Sequence, residues 1–476
     1  MPILQYSTSD WNATVPLFVL AVTGLAVLVF DLLVPRAVRR AVATAVGLVG
    51  CIPALVLLAG QWGHPVSAFG GAFITGGFTL VFEGVIVVAT IFTLCLVNAL
   101  GREDQAAGGV ALLLWGASGA MLMAGAANLM TIFLGLEILS LALYCLCGFA
   151  SRSGAREAAL KYLILSSTAS GFMLYGMALL FGATGSVALA ALVLPPASQV
   201  LFAIGIGLFL IGLAFKLSLV PFHVWTPDVY EGAPLSVTAF MSVVTKAGAL
   251  AVLARFIYAA VPAAHAAALL APLWILAALS MIAGNVAALA QTDMKRLLAY
   301  SGIAQIGYVV AALAGATPLG LRYAMFYIVA YMFMNLGAFA VVALLSAHHD
   351  EGSRLRSFVG LGTRRPVLAA AMTFFLLGLA GLPPTAGFTG KILILASSVN
   401  AGYAWLAGVL VVGTAISIYA YIKIVYAMYA RPAGSVATLQ RVPAPLPWVG
   451  VALCAVAVLV MGLYPVFPSD VLPLVK

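Results

Sequence analysis

An all-α integral membrane protein of about fourteen transmembrane helices is the fold this sequence predicts, and three observations carry that expectation. The chain is 64% hydrophobic and 7% charged, with a mean hydropathy of +1.17, so it has too little polar surface to clothe a water-soluble core. Apolar runs of roughly 18–25 residues recur from end to end, each long enough as a helix to cross about 30 Å of hydrocarbon. These runs lack the period-two alternation of lipid-facing barrel strands, and helices are then the remaining way to satisfy the backbone in lipid.

Helix 1 is expected over 14–34, after a segment, MPILQYSTSDWNATVP, that lacks the basic start of a cleaved leader, so the helix stays in place. Helix 2 (40–60) opens behind Arg36, Arg39 and Arg40, and helix 3 covers 77–100. Helices 4 (108–126) and 5 (128–149) follow, the second carrying Glu137 within NLMTIFLGLEILSLALYCLCGF. Helix 6 covers 158–183. Helix 7 (199–223) holds Lys216 ahead of Pro221, and helix 8 (236–261) holds Lys246 within VTAFMSVVTKAGALAVLA. Helices 9, 10 and 11 are expected at 268–290, 295–315 and 321–346. A polar stretch, AHHDEGSRLRSFVGLGTRRP, is too short to fold alone and leads into helix 12 (367–398), where Pro383 and Pro384 precede Lys391. Helices 13 and 14 close the chain at 404–428 and 447–466.

Helices 7 and 12 each combine a lysine with proline at membrane depth. Proline removes a backbone donor and clashes with the preceding turn, freeing carbonyls that then need a polar partner. Broken helices at matching places in two halves point to an ion site in an inverted-repeat transporter. Helices 4–8 and 9–13 are two five-helix sets, and an odd number of spans inverts the second against the first. The expected division is 1–107 for the N-terminal helices, 108–262 and 263–430 for the two repeats, and 431–476 for the last helix.

The balance of 22 Lys+Arg against 13 Asp+Glu gives +9, but its distribution speaks for membrane orientation, not for nucleic acid. Basic residues gather in alternate loops: Arg36, Arg39 and Arg40, then Arg102, Arg152 and Arg156, Lys295 and Arg296, Arg354 to Arg365, and Arg431 and Arg441. Loops 61–76, 184–198, 262–268 and 399–403 carry none. By the positive-inside rule both termini are expected outside.

An ionisable side chain at the bilayer centre costs about 2.5–3.5 kcal/mol on insertion scales, so Glu137, Lys216, Lys246 and Lys391 together would cost roughly 10–14 kcal/mol unless paired or hydrated. At about 1.5 Å of rise per residue, Glu137, Lys216 and Lys246 all lie near mid-membrane, beyond the reach of snorkelling. Lysine suits a carrier because desolvation and a nearby carboxylate push its proton affinity in opposite directions. Lys161, Arg322 and Lys423 sit close enough to helix ends to snorkel, and Arg255 is intermediate. His223 has two open readings, a proton hand-off beside Lys216 or an interfacial cap. His64, His265, His348 and His349 fall in loops. Cys51, Cys95, Cys145, Cys147 and Cys454 lie in apolar runs without the spacing of a zinc or iron–sulfur site, and Cys145 and Cys147 point to different sides of one helix. The chain has no dinucleotide fingerprint, Walker loop or CxxCH haem site, so energy is expected from an ion gradient or from partner proteins.

Four segments carry a resemblance: FLGLEILSLALYCLCGF around Glu137, REAALKYLILSSTASGFMLYGMALLFGATGS at 156–186, LAFKLSLVPFHVWTPDVYEGAP around Lys216, and KRLLAYSGIAQIGY at 295–308. Together they resemble the proton-pumping membrane subunits of respiratory NADH:quinone oxidoreductase, within the antiporter-like superfamily, and PDVYEGAP at 227–234 resembles the subunit N branch most. The resemblance implies that Glu137 and Lys216 form a coupled pair at an inner half-channel, while Lys246 and Lys391 match the central and outer lysines of one hydrophilic axis. It implies a bacterial inner membrane with both termini on the periplasmic side, and sister pump subunits, small membrane subunits and lipid as partners. No cofactor is expected on this chain, with NADH, FMN, iron–sulfur clusters and quinone handled by partner subunits. Gln305 stands where many relatives have histidine and Gly302 where many have serine; glutamine hydrogen-bonds water but takes up no proton, leaving that half to water, Tyr308 or Lys391.

The expected function is outward proton pumping driven by electron transfer from NADH to quinone in partner subunits. Two rivals stand beside it: a subunit of a multisubunit Na⁺/H⁺ antiporter, against which PDVYEGAP argues, and a scaffold that holds redox subunits without pumping.

Overall fold

The computed structural model describes residues 7–100, 107–150, 153–192, 198–261, 266–345, 353–431 and 445–465. Arg102, Arg152, His265, His348, His349 and Arg441 lie outside these residues. In chain order the helices are α1 (Thr8–Leu33), α2 (Arg39–Gly60), α3 (Gly77–Leu100), α4 (Ala107–Gly125), α5 (Leu129–Gly148), α6 (Ser153–Thr184), α7 (Gln199–Leu217), α8 (Trp225–Gly232) and α9 (Leu235–Ala260). They continue as α10 (Ala266–Leu289), α11 (Met294–Leu313), α12 (Pro318–Leu345), α13 (Leu361–Arg364), α14 (Pro366–Ala380), α15 (Ala386–Asn400), α16 (Ala404–Tyr429) and α17 (Pro445–Leu463). Among the described residues, 13 helices are long and apolar enough to cross a membrane. The fourteenth pass is α14 and α15 in series, so the expected multi-pass bundle is what forms.

Local chemistry explains the ends. Ser7 caps α1 through a capping box: its hydroxyl accepts from Asp10 N at 3.2 Å while the Asp10 carboxylate accepts from Ser7 N at 2.7 Å. The other oxygen of Asp10 accepts from Phe69 N at 2.9 Å. That bond ties α1 to a small antiparallel hairpin, β1 (Val66–Ala68) with β2 (Phe73–Thr75), in a stretch expected only as a loop. Three-residue strands are too short for period-two alternation to announce them.

Burial sorts the bundle into layers. The apolar heart of α9 is wholly buried, and α11 and α12 are nearly so, whereas α2, α6, α10, α16 and α17 present most of their surface outward. A central helix never meets lipid, which is why α9 carries Ser236, Thr238, Ser242, Thr245 and Lys246, all buried. Small residues allow close crossings: a Cβ on Gly176 of α6 would lie 2.5 Å from Phe209 N and 2.7 Å from Gly205 O of α7. Gly176→Val is therefore expected to prise α6 from α7 and to lower the yield of assembled protein severalfold, measured by membrane content after detergent extraction.

Candidate functional site

Each break frees the carbonyls that seat an amine. In α7 the helix stops at Leu217, not at 223 as expected, because Ser218 turns left-handed (φ 60°) and Leu219 N closes back onto Ala214 O at 2.9 Å. Val220 N, the regular partner of Lys216 O, instead donates to Ser280 Oγ at 2.9 Å, and Pro221 has no N–H to offer Leu217 O. Lys216 O is thereby open to the Lys246 amine, which donates to it at 3.1 Å and also to Ser218 Oγ. The Trp225 ring lies 5.3 Å from the same amine.

The second break follows the same logic. α14 ends on Gly381 in the left-handed region (φ 82°), and Pro383 and Pro384 lack the N–H groups that Leu379 O and Ala380 O would otherwise accept. Lys391 Nζ donates to both of these carbonyls, at 2.9 Å each. A Cβ on Gly381 would lie 2.7 Å from the Lys391 stem, so glycine serves both the turn and the fit. The Tyr308 ring stands 4.8 Å below the amine. Gln305 Nε2 shares Leu379 O at 2.9 Å, and its Oε1 accepts from Tyr327 OH. In this chain position 305 is thus a fixed amide joining α11 to the second break.

Lys216 itself turns the other way, into hydroxyls. Its amine donates to Ser140 Oγ at 2.8 Å, Ser166 Oγ at 2.9 Å and Tyr162 OH at 3.2 Å. Glu137 sits one turn from Ser140 on α5 and accepts from Ser170 Oγ at 2.6 Å, and Ser170 is one turn from Ser166 on α6. Among the described residues no amine comes within 4.0 Å of the Glu137 carboxylate. The implied Glu137–Lys216 pair is therefore not a direct ion pair: Ser170 holds the acid, and Ser140 and Ser166 hold the amine. Glu137 is half-buried, with exposed Leu134, Ile138 and Leu141 within a turn of it on α5, while Lys216, Lys246 and Lys391 are buried.

Several other sequence expectations are corrected. Lys295, expected in a loop, is buried at the start of α11 and donates to Ala233 O at 2.9 Å. Arg255, expected at intermediate depth, is fully buried. Lys161 does reach the surface, where it pairs with Glu157 at 2.8 Å and Asp228 at 3.0 Å. Cys145 is exposed and Cys147 buried, on different sides of α5 as their spacing implies. Among the described residues no three His, Cys, Asp or Glu side chains come together as a metal site.

Other polar groups were not anticipated. Tyr327, Tyr331 and Asn335 line one face of α12 at four-residue spacing, all buried, and Asn335 Nδ2 donates to Ser242 Oγ, one turn before Lys246 on α9. Repeated polar residues at that spacing inside an apolar run are the signal that marks them. Glu83 of α3 is a buried acid in an apolar run, the same mark that Glu137 carries. Ser140, Ser166 and Ser218 offer no such signal, since small hydroxyls are common in packed membrane helices.

The residues 126–417 match a family model described as NADH:quinone oxidoreductase/Mrp antiporter, TM. NADH-quinone oxidoreductase subunit N from Trichlorobacter lovleyi is 39% identical over 472 residues, covering 97% of this chain and 96% of its own. A chain of respiratory complex I from Thermus thermophilus with bound Aureothin superposes with a TM-score of 0.82 at 36% identity, over 94% of this chain and 97% of that one. A chain of the Mrp complex from Dietzia sp. shares the fold, with a TM-score of 0.84 at 21% identity over 95% and 94%. With relatives this similar over nearly its whole length, the chain belongs to the NADH:quinone oxidoreductase/Mrp antiporter family of membrane subunits, on its subunit N branch.

Proposed function

We propose that this chain is the proton-translocating subunit N of a bacterial NADH:quinone oxidoreductase, moving protons outward across the inner membrane through Glu137, Lys216, Lys246 and Lys391. Electron transfer from NADH through FMN and iron–sulfur clusters to quinone takes place in partner subunits. Both termini lie on the periplasmic side in this reading, and 108–262 and 263–430 are inverted repeats. The observation that carries the proposal is the paired use of broken helices: in each five-helix set, carbonyls left open by a break hold a buried lysine. A scaffold has no need of three amines whose burial is this costly.

The chain's own groups divide the work. Glu137 stands at an outward-facing wall where a neighbouring membrane subunit would change its surroundings. A charge change there acts on the Lys216 amine across the serines of α5 and α6. Lys216 and Lys246 repel when both are charged, so loading one favours discharge of the other. Asn335 and Ser242 on one side, and Tyr327 and Gln305 on the other, supply hydroxyls and amides between Lys246 and Lys391. Each proton delivered outward works against about 2.3 kcal/mol per 100 mV. The test is Lys216→Met in the assembled complex in inverted membrane vesicles. Proton uptake is expected to vanish while NADH oxidation by an artificial acceptor continues; pumping at the normal rate overturns the proposal.

A further inference from the structure

We propose that the PDVYEGAP segment is an inner-surface charge latch: Asp228 and Glu231, held by Lys161 and Arg296, fix the position of α8 and through it the seat of Lys246. The inference rests on the function proposed above and assigns a positioning role to residues that touch no amine of the proton path.

The short helix α8 is bound at both ends. At its start, Trp225 Nε1 donates to Phe215 O at 2.9 Å and Thr226 Oγ1 donates to Ser218 Oγ at 2.6 Å. Ser218 and the Trp225 ring are themselves two of the contacts around the Lys246 amine. Any shift of α8 therefore moves the seat of that lysine. Toward its other end, Asp228 and Glu231 are three residues apart and so share one face. Arg296 Nη1 of α11 reaches both, at 2.7 Å to Asp228 Oδ1 and 3.0 Å to Glu231 Oε2. The second oxygen of Asp228 takes Lys161 of α6 at 3.0 Å. One carboxylate thus joins a cation from residues 108–262 to a cation from residues 263–430.

The rest of the motif fits the same task. A Cβ on Gly232 would lie 2.5 Å from Gly154 O, so only glycine lets α8 settle on the start of α6. Lys295 holds Ala233 O at 2.9 Å, immediately before α9 begins. Single exposed ion pairs add little stability, but a network that shares one carboxylate between three helices fixes an orientation. Burial pushes the Asp228 carboxyl up, yet Lys161 and Arg296 hold it net below the ordinary range, so the latch is closed at neutral pH.

The experiment compares Asp228→Asn, Asp228→Glu and Lys246→Met in the whole complex, reading proton uptake per NADH oxidised in inverted vesicles. A displaced seat far from the latch is expected to lower that ratio about tenfold in Asp228→Asn. Asp228→Glu should recover at least about half of the loss, because the shared carboxylate returns; a merely structural role would not follow the charge in this way. Normal pumping by Asp228→Asn beside a silent Lys246→Met complex overturns the latch, as does an Asp228→Glu complex with no recovery. Normal pumping by Lys246→Met overturns instead the function that the latch serves. Should Asp228→Asn not assemble, Glu231→Gln decides: a drop of about twofold supports the latch, and an unchanged ratio overturns it.

Discussion

Replacing Pro383 and Pro384 together by alanine is expected to abolish proton pumping while leaving a complex that still assembles. The two prolines withhold the N–H groups that Leu379 O and Ala380 O would meet in a continuous helix. Alanine restores those donors, and the two carbonyls return to the helix ladder. Lys391 then loses both oxygens that hold its amine, and Gln305 loses the one it shares with it. Hydrogen bonds to a charged group contribute about 1.5–3 kcal/mol each, so two of them correspond to about 3–6 kcal/mol, more than roughly hundredfold in rate. Proton uptake in inverted vesicles measures the loss, and an amount of assembled complex near normal separates it from misfolding. Pro384→Ala alone reclaims one carbonyl and should fall between the double variant and the native chain. A double variant that pumps at the native rate would show that the break does not serve Lys391.

The second large effect concerns stability. Arg255→Met should weaken assembly, because it leaves the Thr79 hydroxyl and the Ala124 carbonyl without the buried donor they share. Arg255 Nη2 donates to Thr79 Oγ1 at 2.8 Å and to Ala124 O at 3.4 Å, and its guanidinium stands 5.2 Å over the Phe78 ring. Glu83, also buried, is one turn on from Thr79 on α3. A buried polar group left unsatisfied costs about 1–3 kcal/mol, a large share of the roughly 5–15 kcal/mol that holds a folded chain together. Arg255→Lys keeps a buried donor and should regain part of the loss. Thermal denaturation of the purified complex, followed by aggregation, distinguishes the outcomes; an Arg255→Met complex that melts at the native temperature would show that these bonds carry no stability.

Much of this molecule is legible in one dimension. Helix count follows from run length, because about 30 Å of hydrocarbon sets how many apolar residues a pass needs. The two breaks follow from proline beside glycine or a lysine at membrane depth, since the missing N–H is a property of the residue itself. Lys216, Lys246 and Lys391 stand out because charge is rare in such runs. The end of α7 at Leu217 was less legible: a left-handed serine stops the helix four residues before Pro221, and serine gives no warning of that conformation. The hairpin at Val66–Thr75 is too short for its pattern to be seen.

What the sequence determined by itself is where the chain crosses, where its helices break and which residues bring charge into the membrane, for these depend on neighbours within a turn or two. Tertiary structure alone decided that Lys246 takes the carbonyl of Lys216, that separate serines hold Glu137 and Lys216, that Arg255 bonds Thr79, and that Asp228 spans two halves of the chain. Each of those contacts joins different helices, and a side chain's partner across an interface is set by how helices pack, which no local pattern of residues encodes.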